Sequence, residues 1–285
     1  EQFSESDAAV AVCLFGWMPM SVGYSVREGH NDIFMVAGLT LWLYLVSRRK
    51  HLLSPLALAA SVLIKYVTAP LVILELVSAW RNRVRAGRYL AVGLGCLAAG
   101  LLLFMPFFRG MDMFESATKM RGWVFWTPAI FIRDLAGYAG INLLAGEIIY
   151  PVTAALLGVL AWSAWRWWRD NSFPSLLTLV LSFLTLSLFA LLGHVWPWFA
   201  IWLLPAAALT WRTHLGRVVL AFCFLVPVLN QSWYLANDWS LRPVLGIALY
   251  GGTAMLFVLL TLWNPVRRAS HDGGESPVLA PEGGA

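Results

Sequence analysis

Six consecutive residues, Arg27-Glu28-Gly29-His30-Asn31-Asp32, stand at the mouth of an apolar run from Ile33 to Val46. They bring two carboxylates, an imidazole and an amide to a place where packing alone asks for none of them. Burying such groups is costly unless they are paired or wet, so a polar cluster at the rim of an apolar segment marks a candidate site. The chemistry open to it is hydrogen bonding to sugar-like hydroxyls, or proton removal by a carboxylate. If residues 32–47 are helical, Asp32 falls in the first turn, where a carboxylate suits the positive end of the helix dipole. Asn31 then stands at the N-cap. Capping accounts for Asn31 alone and leaves Glu28, His30 and Asp32 together unexplained.

Three further groups carry chemistry. Lys65 lies in an apolar stretch shortly before Pro70, and its compact ammonium suits a phosphate or diphosphate. The plainer alternative is an ion pair with a buried acid such as Glu75. The run His194-Val195-Trp196-Pro197-Trp198-Phe199 offers indole faces that stack on sugar rings or cover isoprenoid chains, although Trp is also enriched at any membrane interface. Arg109, Lys119 and Arg121, near Trp123 and Trp126, could contact a lipid-linked phosphate or anionic headgroups at large.

The elements that must position these groups are read from hydropathy. The 285 residues are 60% hydrophobic and 12% charged, against about 25% charged in a soluble domain, and the mean hydropathy is +0.71. Apolar segments recur at roughly 8–23, 32–47, 52–80, 89–108, 149–165, 173–193, 195–211, 218–235 and 244–263. This pattern implies an all-α, polytopic membrane bundle. Basic residues gather at Arg48-Arg49-Lys50, at Arg81, Arg83, Arg85 and Arg88, at Arg166 and Arg169, at Arg212 and Arg217, and at Arg267-Arg268. These loops are assigned to the cytoplasm. The opposite loops, with Glu28, Asp32, Asp112, Glu115, Asp134, Glu147 and Asp238, face outward. The net charge of +5 is thus a topology signal, and no nucleic-acid partner is implied.

Segment 52–80 has basic clusters on both flanks and is too short for two crossings of ~20 residues each. It reads as a hairpin of two short helices that turns at Lys65–Pro70. Such a break at membrane depth is tolerated only beside a cavity or inside protein. The alternative is one long tilted helix with Lys65 snorkelling to the surface. Residues 109–148 form a long outer loop in which 113–120 and 129–144 could lie as interfacial helices. Residues 265–285, rich in Gly, Pro and Glu, read as a disordered cytoplasmic tail. Cys13, Cys96 and Cys223 sit in apolar stretches without a CxxC spacing and read as small buried hydrophobes. Nucleotide-loop and metalloprotease motifs are absent from the sequence, so neither a cofactor nor a metal is expected.

The pattern Pro19 … Glu28-Gly29-His30-Asn31-Asp32, an apolar span, Arg48-Arg49-Lys50, then Leu63-Ile64-Lys65 … Pro70 resembles the GT-C polyprenyl-phosphate-sugar-dependent glycosyltransferases. It looks most like their bacterial mannosyltransferase branches. In that family a GHND-like motif leads into a span, and a basic cytoplasmic loop and a short apolar helix ending in Lys and Pro follow. His194 to Phe199 with Leu203-Leu204-Pro205 is similar to the family's later Tyr-Pro-Trp-Tyr … Leu-Pro segment. His194-Val195 departs from the usual aromatic, and the gap between Lys65 and Pro70 is longer than common. The likeness covers roughly residues 15–210.

The resemblance implies a GT-C bundle with short or broken helices and a long outer loop. Residues 1–264 would be its multi-pass domain, as the C-terminal part of a longer module. It implies transfer of one sugar, mannose, with inversion, from a polyprenyl phosphate donor to a lipid or glycan acceptor. The reaction would take place on the outer face of a bacterial inner (plasma) membrane. His30, Asn31, Asp32, Lys65, Arg121, His194, Trp196 and Trp198 are the expected substrate-binding residues. The family's best-known acid lies in a first outer loop that this sequence does not contain, so the catalytic base is unassigned, with Asp32 and Glu28 as candidates. The rival class is a multi-pass transporter or lipid flippase, which an inverted repeat would favour; none is visible in the sequence.

Overall fold

The computed structural model describes residues 4–23, 29–110, 127–191, 196–236 and 241–262. Among them every regular element is helical. Helix α1, Glu5–Gly16, begins on Ser4, whose hydroxyl accepts the Asp7 backbone N–H. Helix α2, Asp32–Ser47, occupies the 32–47 segment expected from hydropathy. The basic turn after it leads into α3, Ser54–Ile64, a 3-10 turn at Tyr66–Thr68, and α4, Leu71–Arg81.

Segment 52–80 is therefore the expected hairpin rather than one tilted helix. Its arms are 11 residues each, so each rises only about 16 Å against a hydrocarbon core of about 30 Å. The chain leaves the helical region at Lys65, which has extended dihedrals (φ −147°, ψ 122°). Pro70 then restarts it at the N-cap of α4, a place where the missing proline N–H costs nothing. Two hydroxyl contacts fix the reversal. Ser61 and Thr68 share a hydrogen bond of 3.2 Å, and the Ser54 hydroxyl donates to Glu75 at 2.7 Å.

Helices α2 and α3 run antiparallel at close range, because small residues line their contact. A Cβ added to Gly38 would lie 3.0 Å from the Ser61 nitrogen and 3.2 Å from the Ala57 oxygen. The Ser61 hydroxyl donates to the Met35 carbonyl at 2.9 Å. Met35 lies one turn along α2 from Asp32, and Ser61 lies one turn along α3 before Lys65. This register sets Lys65 opposite Asp32.

The rest of the bundle comprises α5, Ala86–Phe104, α6, Pro128–Tyr138, α7, Ala145–Asp170, α8, Phe173–Leu186, α9, Leu204–Leu209, α10, His214–Ala236, and α11, Arg242–Leu262. Among the described residues, three stretches are long and apolar enough to cross a membrane: Ala86–Phe107, Glu147–Asp170 and Phe173–Ala190. α5 buries none of its residues. Leu90, Leu94, Leu97 and Leu101 all face outward from it, as suits a helix that is apolar all round.

Two expectations are corrected. Segment 195–211 is not a helical span. It is a 3-10 helix, Pro197–Trp202, followed by the six-residue α9, because Pro197 and Pro205 each begin a new element. This broken piece forms the centre of the core: Ala200, Ile201, Trp202, Leu203, Leu204 and Ala207 are all buried, packed with Leu177, Leu181 and Leu184 of α8. The cysteines differ from one another as well. Only Cys223 is buried, whereas Cys13 is exposed and Cys96 is half-buried, since apolar helices that face outward carry their small residues with them. In the loop 109–148, a helix forms at 128–138 and stops before Gly140, whose φ is +75°. Residues 113–120 lie outside the described set.

The basic ends of several helices are tied together. Arg81 donates to the carbonyls of Trp167 at 3.1 Å and Trp168 at 2.8 Å; Trp167 O also accepts the backbone N–H of Asn171 at 2.9 Å, and both carbonyls belong to the last turn of α7, where acceptors outnumber helical donors. Its guanidinium also covers both indoles, 5.6 and 5.1 Å from the ring centroids. Arg212 pairs with Asp7 at 2.8 Å.

Candidate functional site

Asp32 is the centre of the site. It opens α2, so its carboxylate benefits from the free N–H groups and dipole of that end, yet it is almost wholly buried (1% exposed). The Lys65 ammonium reaches its Oδ1 at 2.6 Å. The indole N–H of Trp202 donates to the same oxygen. The other oxygen, Oδ2, is buried and has no hydrogen-bond partner among the described residues. A buried carboxylate oxygen left without a donor costs stability, and such orphans concentrate where chemistry is done.

Lys65 ends α3, where a cation suits the negative end of the helix. Its side chain keeps 25% of its surface exposed. The ammonium lies 4.6 Å from the ring centroid of Phe199 and 5.2 Å from that of Trp202, within the range of a cation–π contact. An ammonium carries three N–H donors. One is given to Asp32, so two remain for another oxygen ligand.

The aromatic rings follow from the 3-10 helix. In that geometry residues three apart eclipse, and Phe199 and Trp202 accordingly stack at 4.4 Å. Trp198 meets Phe199 edge-on at 6.0 Å. It also stacks with Trp196 at 5.0 Å and with His30 at 4.3 Å. A continuous aromatic surface therefore leads from Trp196, past His30, to the Asp32–Lys65 pair. Three sequence clusters far apart in the chain meet here.

Glu75 is not the partner of Lys65. The α3–α4 reversal carries it back toward the basic end, where it is buried and accepts from Trp42 Nε1 at 2.6 Å, Ser54 Oγ at 2.7 Å and Tyr89 OH at 3.3 Å. Those donors come from α2, α3 and α5, so Glu75 holds four helices together.

The remaining expected residues divide as follows. Asn31 occupies the N-cap position of α2 but is exposed, and its side chain makes no capping bond. Glu28, Arg121 and His194 lie outside the described residues. Sequence reasoning reaches Phe199 only as the last residue of the His194–Phe199 run and misses Trp202, which lies beyond it. The three-residue spacing after Pro197 was the available signal for them. Two cavities open elsewhere: one of about 410 Å3 lined by residues that include Lys50, His51 and Asn82, and one of about 480 Å3 around Arg133, Asp134 and Tyr138. Among the described residues no three His, Cys, Asp or Glu side chains are grouped to hold a metal ion. Comparison of the chain with protein-family models, curated proteins and solved structures finds no match.

Proposed function

We propose that this chain is part of an integral-membrane glycosyltransferase of the GT-C type. It would move one sugar, mannose by resemblance, from a polyprenyl phosphate to a lipid or glycan acceptor on the outer face of the plasma membrane. The observation that carries the reading is the meeting of Asp32, Lys65 and Trp202, with the His30–Trp198 stack alongside. Inverting transfer needs a group that takes the acceptor's proton and a cation that receives the leaving phosphate. The acceptor oxygen forms a bond to the anomeric carbon. The bond from that carbon to the phosphate oxygen breaks, its electron pair leaves with the polyprenyl phosphate, and the hydroxyl proton passes to a carboxylate.

In this assignment Lys65 holds the phosphate through the N–H donors that Asp32 leaves free. The flat faces of Trp198 and Trp196 stack on the sugar or cover the first isoprene units. Asp32 binds sugar hydroxyls or acts as the base, and Glu28 is the other candidate base. The short α3–α4 hairpin supports the same reading, because helices too short to span leave an apolar recess that a lipid carrier can enter.

The test is transfer of labelled mannose from polyprenyl-phosphate mannose by membranes that carry the intact protein. Asp32→Ala at normal membrane abundance should abolish transfer; full transfer would remove Asp32 from the mechanism. A transporter would share the broken hairpin. It would carry labelled lipid or solute across vesicles without forming a new glycosidic product, and that result would replace the enzyme reading.

A further inference from the structure

At the other end of α2, about 24 Å from Asp32 along a 16-residue helix, two helix ends and one turn line the cavity of about 410 Å3, which opens broadly to the surface. Its lining includes Arg49, Lys50, His51 and Asn82. His51 is buried, only 6% exposed, and neither ring nitrogen has a hydrogen-bond partner among the described residues. An imidazole always presents a donor and an acceptor, or two donors when charged. Leaving both idle in a buried position is costly unless something else occupies them. Arg49 and Lys50 are exposed, and among the described residues neither forms an ion pair.

The local backbone explains how these groups come together. α2 and α4 both end in the same way. Arg49 N–H donates to Val46 O and Lys50 N–H to Leu45 O; Arg83 N–H donates to Trp80 O and Val84 N–H to Ala79 O. This is the Schellman pattern, whose left-handed residue is usually glycine. Here it is Arg49 (φ 54°) and Arg83 (φ 52°). Glycine would be easier for the backbone at both places, and the chain instead puts cationic side chains there.

We propose that this cavity is a binding site for a phosphate group at the basic, cytoplasmic end of the bundle, held by His51 with Arg49 and Lys50. Its occupant is the phosphodiester of an anionic lipid headgroup or a free phosphate; the chemistry of recognition is the same for both. The inference does not depend on the Asp32 site. Burial holds His51 below its ordinary pKa, against the pull of Glu75, with Arg49 adding to the depression. A bound anion offsets the Arg49 charge and favours the protonated ring, which donates from both nitrogens. Glu75 is engaged elsewhere, since Trp42, Ser54 and Tyr89 all donate to its carboxylate.

The experiment uses the full chain purified in neutral detergent, with native mass spectrometry of adducts formed with phosphatidylglycerol, with phosphatidylcholine, and with inorganic phosphate. One tightly held phosphatidylglycerol is expected per chain, with weaker retention of phosphatidylcholine. Displacement by millimolar inorganic phosphate would identify free phosphate as the occupant; resistance to it would identify the lipid. His51→Phe should lower retention of the anion by about tenfold, the worth of a hydrogen bond to a charged group. Arg49→Gly separates binding from folding. It relieves the left-handed backbone and should raise the melting temperature while weakening anion retention. Arg169→Gln, at the same end but outside the cavity, should change retention by less than about twofold. If Arg49→Gly and His51→Phe both retain the anion as wild type does, or if Arg169→Gln weakens it equally, the cavity is not a phosphate site.

Discussion

Exchanging Lys65 for methionine leaves the Asp32 carboxylate, 2% exposed at its side chain, with the Trp202 indole as its one remaining donor among the described residues. Removing one partner of a fully buried ion pair costs about 3–5 kcal/mol. Lys65 keeps a quarter of its side-chain surface exposed, so water shares in solvating the pair and the expected loss falls to about 2–3 kcal/mol. Asp32→Asn removes the charge while keeping an oxygen for both donors, and about 1–2 kcal/mol is expected. The double variant has neither charge to strand. Its loss should therefore fall short of the sum of the singles by at least about 1 kcal/mol. Reversible unfolding of the purified chain in detergent, run as a double-mutant cycle, measures this coupling. Additivity within about 0.5 kcal/mol would show that the two groups do not depend on each other and would refute the buried-pair argument. A parallel assay of sugar transfer separates a structural staple from a site: the double variant should regain stability and remain inactive. If transfer returns with stability, the pair only holds the fold.

Gly38→Val should drive α2 and α3 apart, because its Cβ would press on the Ser61 backbone at 3.0 Å; a loss of about 1–3 kcal/mol and of sugar transfer is expected in unfolding and transfer assays, and a wild-type melting temperature would contradict the close approach. Glu75→Leu strands the Trp42, Ser54 and Tyr89 donors and should destabilise the chain by about 3 kcal/mol, read as a lower denaturation midpoint. His51 titrates below its ordinary 6.5 in the folded chain because it is buried. The unfolded chain therefore binds more protons there, and stability should fall as pH drops below about 6.5 and level off beneath the folded pKa. His51→Phe should flatten that part of the stability–pH curve, and an unchanged slope would assign it to other groups.

The bounds of α2, the α3–α4 reversal and the break at Lys65 were legible in the sequence, because hydropathy, flanking arginines and Pro70 act locally. The partner of Lys65 was not legible. Glu75 is nearer in sequence, but Asp32 is nearer in space, and what decides between them is the register set by Gly38, Ala57 and Ser61 across two helices. Segment 195–211 reads as a span because its composition is as apolar as one. Its two prolines were the contrary signal, and they convert a crossing helix into a buried 3-10 piece that turns Phe199 and Trp202 toward Lys65. Trp202 has no polar neighbour in sequence to mark it; its role arises only once α2 brings Asp32 alongside.

The most direct test is the affinity of the purified intact protein for polyprenyl-phosphate mannose, compared between wild type, Lys65→Met, Trp198→Ala and the distant control Arg166→Gln. Loss of the ammonium and loss of the ring platform should each weaken binding by about tenfold or more, with the control unchanged. Equal affinity in all four would contradict a donor site built on Lys65 and Trp198.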